Sequence, residues 1–343
     1  MKRLLNTLFV LSENSYLSLQ DENVIVHAED GTRKPLPLLG LENIFCFSYK
    51  GASPALAGEC AKRGIGLTFL TPAGRFLARV SGRSQGNVLL RKMQYRISDS
   101  PVESCETAKY FIFGKLYNSH WCLERTARDH EMRVDAEALK NASRFLAETA
   151  KQVLTVTDGD SLRGLEGEAA TRYFGVFDQM IINQKEQFQF TVRSRRPPLD
   201  RVNAMLSFGY RLLASDCAAA LESVGLDSYV GFLHRDRPGR ESLALDLMEE
   251  LRSVLVDRLV VTMINTRAIN GKQFDESENG AVLLNDSGRK AFLQAWQTHK
   301  REEIKHPYLQ DKIQWGLVPY VQALLLARYL RGDLDAYPPF LWK

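Results

Sequence analysis

Residues Ile65–Arg96 read IGLTFLTPAGRFLARVSGRSQGNVLLRKMQYR, and within this stretch the chain changes its pattern. Ile65–Leu70 and Arg75–Val80 are short apolar runs on either side of Thr71-Pro72-Ala73-Gly74. Proline second and glycine fourth suit a β-turn, so the pair reads as a hairpin. Ser81–Asn87 is small, polar and basic, the composition of a linker. From Val88 onward apolar residues recur at helical spacing. The division predicts an α+β chain: a small β-rich domain over 1–82 and a larger all-α domain over 83–343.

Toward the N-terminus the same alternation of short apolar runs and turns continues. Leu4–Leu11, Tyr16–Leu19 and Val24–His27 read as strands, and one helix is expected near Ser53–Lys62. Asn6 and Thr7 break the first apolar run and no small-residue cleavage site follows, so it reads as a strand and not a signal peptide. Toward the C-terminus helices are expected over Val88–Arg96, Thr107–Asn118, Ala136–Val153, Leu165–Ile182, Arg201–Val224, Leu243–Ile264, Arg289–Lys300 and Ile313–Leu330. Asp135 and Asp200 stand where helix caps belong, and Gly225 and Gly332 follow helix ends.

A chain of 343 residues has room for about two domains. Its five cysteines are widely spaced and form no CxxC pair, which predicts reduced thiols in a cytoplasmic protein and excludes a cysteine zinc site. No stretch approaches the roughly 18 uncharged residues of a membrane span. The net charge of +4 permits a nucleic-acid partner without requiring one, so local clusters must decide.

Three blocks carry chemistry. In Leu162–Phe174 helical steps from Glu168 reach Thr171, Arg172 and Gly175, a solvated face. Steps from Glu166 reach Ala169, Ala170, Tyr173, Phe177 and Met180, an apolar face on which a carboxylate needs a partner such as a cation. Gly164 and Gly167 leave room for a backbone or ligand, while a first-turn acid favoured by the helix dipole is the plain alternative. In the second block Arg193, Arg195, Arg196, Arg201 and Arg211 face one acid, Asp200, and arginine forks suit phosphate. There Val202, Leu206, Tyr210, Leu213, Cys217 and Leu221 form a buried stripe.

In the third block Gly231-Phe232-Leu233-His234 leads through Arg235, Arg237 and Arg240 into a helix that Ser242 can cap. Asp246, Glu249, Glu250, Ser253 and Asp257 share one face of that helix. One imidazole beside carboxylates favours Mg²⁺ or Mn²⁺ over structural zinc. Spacing alone leaves Asp246 and Glu249 equally placed as the acid beside His234. His299 and His306, near Lys300, Arg301 and Lys305, form a further basic cluster, read as a solvated helix end or a DNA contact.

These three blocks, in this order, resemble the CRISPR-associated integrase family of spacer acquisition (the "Cas-one" family). The first is similar to its G-x-E-G-x-A-A-x-x-Y-F, at Gly164, Glu166, Gly167, Ala169, Ala170, Tyr173 and Phe174. The second is similar to its P-P-x-D-x-x-N-x-x-L-S-x-x-Y, at Pro197, Pro198, Asp200, Asn203, Leu206, Ser207 and Tyr210. The third is similar to its G-F-L-H loop and D-L-x-E-x-x-R helix, at Gly231–His234, Asp246, Leu247, Glu249 and Arg252. Within the family the chain looks most like the type I-C kind.

The resemblance implies a divalent cation, Mg²⁺ or Mn²⁺, held by Glu166, His234 and Glu249, with Asp246 as an accessory acid. It implies transesterification that joins the 3′-hydroxyl of a captured DNA fragment to a CRISPR repeat. DNA would lie on Arg193, Arg195, Arg196, Arg237 and Arg240; Tyr173 and Tyr210 could orient its end, with core packing the plainer role for each. A homodimer through the β domain and a small second Cas protein as partner are also implied. The same residues admit two other readings: an unrelated metal-dependent phosphodiesterase that cleaves without joining, and a non-catalytic DNA-binding scaffold.

Overall fold

A computed structural model describes residues 6–10, 12–71, 76–80 and 88–343. The expected linker and the tip of the expected hairpin, residues 72–75, lie outside them. The chain divides into two compact units. The first comprises Met1–Gln85, Leu284–Glu302 and Gln314–Leu317; the second comprises Gly86–Leu283, Glu303–Ile313 and Val318–Lys343.

The first unit begins with strands β1 (Asn6–Val10), β2 (Tyr16–Gln20), β3 (Asn23–His27), β4 (Arg33–Pro37) and β5 (Leu41–Cys46). Helix α1 (Pro54–Arg63) and strands β6 (Gly66–Leu70) and β7 (Phe76–Val80) complete the N-terminal part. β2, β3 and β4 form an antiparallel sheet in which Tyr16 faces His27 and Asn23 faces Pro37. A second sheet has the order β1-β5-β6-β7, parallel except for the β6–β7 pair. The expected strand pair is therefore present, and α1 is the crossover between parallel β5 and β6. Ser53 caps α1 by accepting the Leu56 N–H at 3.1 Å, and Gly64 ends it at φ +69°. Leu17, Val24, Ile44, Leu56, Cys60 and Leu67 form the buried core.

The second unit is built from α2 (Val88–Asp99), α3 (Pro101–Asp129), α4 (Ala136–Val153), α5 (Gly159–Gly175) and α6 (Arg201–Ser223). Then come α7 (Ser242–Glu249), a π-helical turn (Arg252–Asp257) and α8 (Arg258–Asn265). Further on, α9 (Asp286–Arg301) belongs to the first unit and α10 (Val318–Leu330) to the second. The region after residue 88 is not purely helical. Strand pairs Phe274–Glu276 with Val282–Leu284, and Glu303–Lys305 with Lys312–Gln314, interrupt it. Asp135 accepts the Ala138 N–H at 2.9 Å and Asp200 accepts the Asn203 N–H at 2.7 Å, as their positions predict.

Helix α3 runs along α4, α5, α7 and the π turn, and α6 covers α7 and the π turn from another side. The α6 stripe Val202, Leu206, Tyr210, Leu213, Cys217 and Leu221 is buried throughout. Among the described residues no helix is long and apolar enough to cross a membrane, and all five cysteines are buried and outside any disulfide.

Candidate active site

Asp158 opens α5, its carboxylate accepting the backbone N–H groups of Asp160 at 3.1 Å and Ser161 at 2.8 Å. The helix starts earlier than its sequence signature suggests, so Glu166 lies beyond the first turn and outside the reach of the helix dipole. Phase determines its direction. Ala169, Tyr173, Phe177 and Met180 on its face are buried, whereas Glu168 is exposed 4.0 Å from Arg172. A Cβ on Gly164 or Gly167 would meet nothing within 4 Å, so these glycines border open space and admit no neighbouring backbone.

The histidine loop is held by one carboxylate. Asp246, fully buried on α7, accepts the backbone N–H groups of Phe232 at 2.6 Å, Leu233 at 3.0 Å and His234 at 3.0 Å. His234 Nδ1 lies 2.5 Å from Asp246 Oδ1. A carboxylate can only accept here, which assigns a proton to Nδ1 and, in the neutral ring, leaves the lone pair on Nε2. Gly231 is required for this wrapping: a Cβ there would stand 2.8 Å from Asp246 Oδ2 and 2.9 Å from Ser242. Ser98 and Ser104 donate to the carbonyls of Gly231 and Phe232 at 2.7 and 2.8 Å, pinning the loop to α2 and α3. Ser242 does not cap α7; its hydroxyl donates to the Arg235 carbonyl at 3.3 Å.

Glu249 and Glu166 meet through a residue that motif reading passed over. Lys115 of α3 donates from Nζ to Glu249 Oε2 at 2.8 Å and also to Glu166 Oε1. Arg252 Nη1 donates to both Glu249 oxygens, at 2.8 and 3.1 Å. Burial alone would raise the Glu249 pKa, but Arg252, Lys115 and His234 together hold it well below the usual carboxylate range. Among the described residues no three His, Cys, Asp or Glu side chains form a ready metal cage. Lys115 and Arg252 instead occupy the carboxylate oxygens.

The five polar residues expected on one face of the third-block helix are all buried, so that face is not a solvated one. The π turn shifts the helical phase after Leu251, and each acid has its own partners. Glu250 accepts from Tyr337 Oη at 2.5 Å and from the Phe340 N–H at 2.7 Å, and burial pushes its pKa up to about 7. Asp257 accepts from Tyr210 Oη at 2.5 Å and Tyr173 Oη at 3.0 Å. Both tyrosines are therefore core residues tied to a buried acid, and the expectation that they position a DNA end does not fit their place.

The arginines separate into two groups. Arg193 is turned inward: it donates to Asn203 Oδ1 at 2.6 Å and Ser207 Oγ at 3.1 Å and lies over the Tyr210 ring. Its guanidinium is thus committed to protein, which corrects its reading as a DNA contact. Arg195, Arg196 and Arg237 are exposed and Arg240 is half-buried. Partial burial, and then the charges of Arg237 and Arg196, lower the Arg240 pKa, so at least Arg196 of the second block lies near the third. The basic cluster near His306 does not form as a patch. His306 is fully buried, with Nε2 3.1 Å from Gln322 Oε1, and His299 pairs with Glu302 at 3.0 Å.

The family described as CRISPR associated protein Cas1 matches residues 8–298. The chain belongs to the Cas1 family. A CRISPR-associated endonuclease Cas1 of Chlorobaculum tepidum is 49% identical over the full length of both chains. A casposase bound to integration product shares the fold at TM-score 0.84 and 23% identity, over 98% of this chain and 94% of that one. A chain of a Cas6-RT-Cas1–Cas2 complex does so at TM-score 0.81 and 22% identity, over 98% of this chain and 36% of that one. Glu166, His234, Glu249, Lys115 and the arginine cluster all fall inside the Cas1 match.

Proposed function

We propose that the chain is a metal-dependent DNA endonuclease and integrase of CRISPR adaptation, joining a DNA 3′-hydroxyl to the repeat by transesterification. The observation that carries this reading is the pairing of Glu166 and Glu249, from two different helices, on one cation beside an imidazole whose Nδ1 is fixed. Two carboxylates and one imidazole nitrogen fit Mg²⁺ or Mn²⁺ by donor chemistry, and a carboxylate behind a ligating histidine is a common support. Glu166, Glu249 and His234 would hold the ion, which when bound supplies Lewis acidity and lowers the pKa of a hydroxyl. Asp246 is then a brace for His234 and not a ligand.

In the reaction a 3′-oxygen forms a bond to phosphorus while another P–O bond breaks, freeing a new 3′-hydroxyl. The proton lost by the attacking oxygen is balanced by the one gained on the leaving oxygen, and no nucleotide is consumed. Arg195, Arg196, Arg237 and Arg240 bind the phosphate backbone. Relatives named CRISPR-associated endonucleases and a neighbour holding an integration product support this reading. The Cas1–Cas2 neighbour supports a small second Cas protein as partner. A homodimer through the first unit is part of the proposal, supported by exposed apolar residues there, Leu39 and Tyr49. Five cysteines outside any disulfide support a cytoplasmic setting.

The test uses supercoiled DNA carrying a CRISPR repeat, a duplex labelled at its 3′-hydroxyl strand, the small partner protein and Mn²⁺. Label joined to the repeat is expected. Nicking without joining would favour a hydrolase, and binding alone would favour a scaffold.

A further inference from the structure

Lys115 has no role in the reaction proposed above, yet its ammonium joins both acids of the proposed metal site. Only 11% of its side chain is exposed. It reaches the acids because α3 approaches closely at Gly114, where a Cβ would stand 2.9 Å from Glu250 Cβ. Two carboxylates, one ammonium and one guanidinium sum to no net charge. A divalent ion added without any rearrangement would leave two uncompensated positive charges in a buried setting, which is costly.

The two cationic side chains differ in their freedom. Arg252 is fixed by both Glu249 oxygens and by the Tyr210 ring, 4.2 Å below its guanidinium. Lys115 is a point charge on a flexible stem. It also lines a cavity, along with Ser119, Ala170, Tyr173, Ser253 and Asp257. Ser253 is 2% exposed and its Oγ has no hydrogen-bond partner. The cavity therefore offers an ammonium an unused acceptor and a nearby carboxylate.

We propose that Lys115 is a resident counter-cation of the Glu166–Glu249 pair, which yields its place to a divalent ion and withdraws toward Ser253 and Asp257. It is a positioning residue: it holds the two acids together before the ion arrives and competes with the ion for them. The inference rests on the metal site proposed above.

The experiment measures Mn²⁺ binding to the full chain without DNA, by calorimetry and by loss of the free-ion paramagnetic resonance signal. Lys115→Met and Lys115→Gln are expected to bind Mn²⁺ at least about tenfold more tightly than wild type, a difference of about 1.4 kcal/mol. Mn²⁺ should also raise their melting temperature by more than it raises that of wild type. Lys115→Arg, which retains a cation, should return affinity toward the wild-type value. A purely structural lysine would give lower stability with unchanged or weaker binding, and that result in folded Met and Gln variants overturns the proposal. So does an Arg variant as tight as the Met variant. If Glu166→Gln loses Mn²⁺ while the Lys115 variants match wild type, this proposal alone falls. If wild type binds no Mn²⁺, the metal site falls with it.

Discussion

Replacing Asp246 by alanine separates bracing from ligation at the third block. The substitution removes the acceptor for three backbone N–H groups and for His234 Nδ1, at distances of 2.5 to 3.0 Å, from a fully buried position. A hydrogen bond to a charged group contributes about 1.5–3 kcal/mol, but the four share one acceptor and the loop can relax toward water, so they do not add. A net loss of about 3–5 kcal/mol is expected, at the severe end for a single substitution. At roughly 2–4 °C per kcal/mol for a unit of this size, the melting temperature of the helical unit should fall by about 6–20 °C. Asp246→Asn keeps one acceptor but turns an amide NH₂ toward the loop donors, so it should fall between the two. The assay is thermal denaturation followed by circular dichroism, with DNA joining measured at a temperature where the variant is folded. An Asp246→Ala protein that melts within about 2 °C of wild type yet joins no DNA would refute the brace and make Asp246 a ligand.

Other consequences are equally open to measurement. Arg196→Ala and Arg237→Ala should each lower the slope of log affinity against log salt by about 0.9, whereas Arg193→Ala should destabilise the fold and leave that slope unchanged. Tyr210→Phe leaves Asp257 one donor short and should cost about 1–3 kcal/mol in stability, with joining retained; joining reduced more than about tenfold at native stability would return the tyrosine to the DNA end. Burial lowers the His306 pKa from its ordinary 6.5, so the fold favours the neutral ring. Its contribution is therefore complete above the unfolded value of about 6.5 and is lost as pH falls below it. Denaturation midpoints at successive pH values should decline more steeply below that point in wild type than in His306→Gln.

How much the sequence discloses depends on how local the cause is. Helical phase alone turns Glu166 inward and Glu168 outward, because both outcomes follow from a few neighbours on one helix. Asp135 and Asp200 are legible for the same reason: a cap needs only the next three residues. Strand β4 escapes notice because Pro35 and Pro37 argue against a strand, although both are tolerated on an exposed sheet edge. The π turn is hidden because Arg252–Asp257 contains ordinary helix-compatible residues and its cause lies in packing. Lys115 is the clearest omission. A lysine in a helix reads as surface, and its partner Glu166 is 51 residues away, so only the folded arrangement of α3, α5 and α7 reveals it. The difference between Asp246 and Glu249 also lies outside the sequence spacing: one acid is consumed by the histidine loop and the other faces Glu166 through Lys115.

Glu166 is central to the site proposed above for DNA strand transfer. Its direct test is the fraction of labelled 3′-hydroxyl DNA joined to a CRISPR repeat by Glu166→Gln, with Mn²⁺ and the partner protein present and DNA affinity measured alongside. Joining should fall at least about a thousandfold with DNA affinity and fold retained. Joining at the wild-type rate by a folded Glu166→Gln protein would contradict that role.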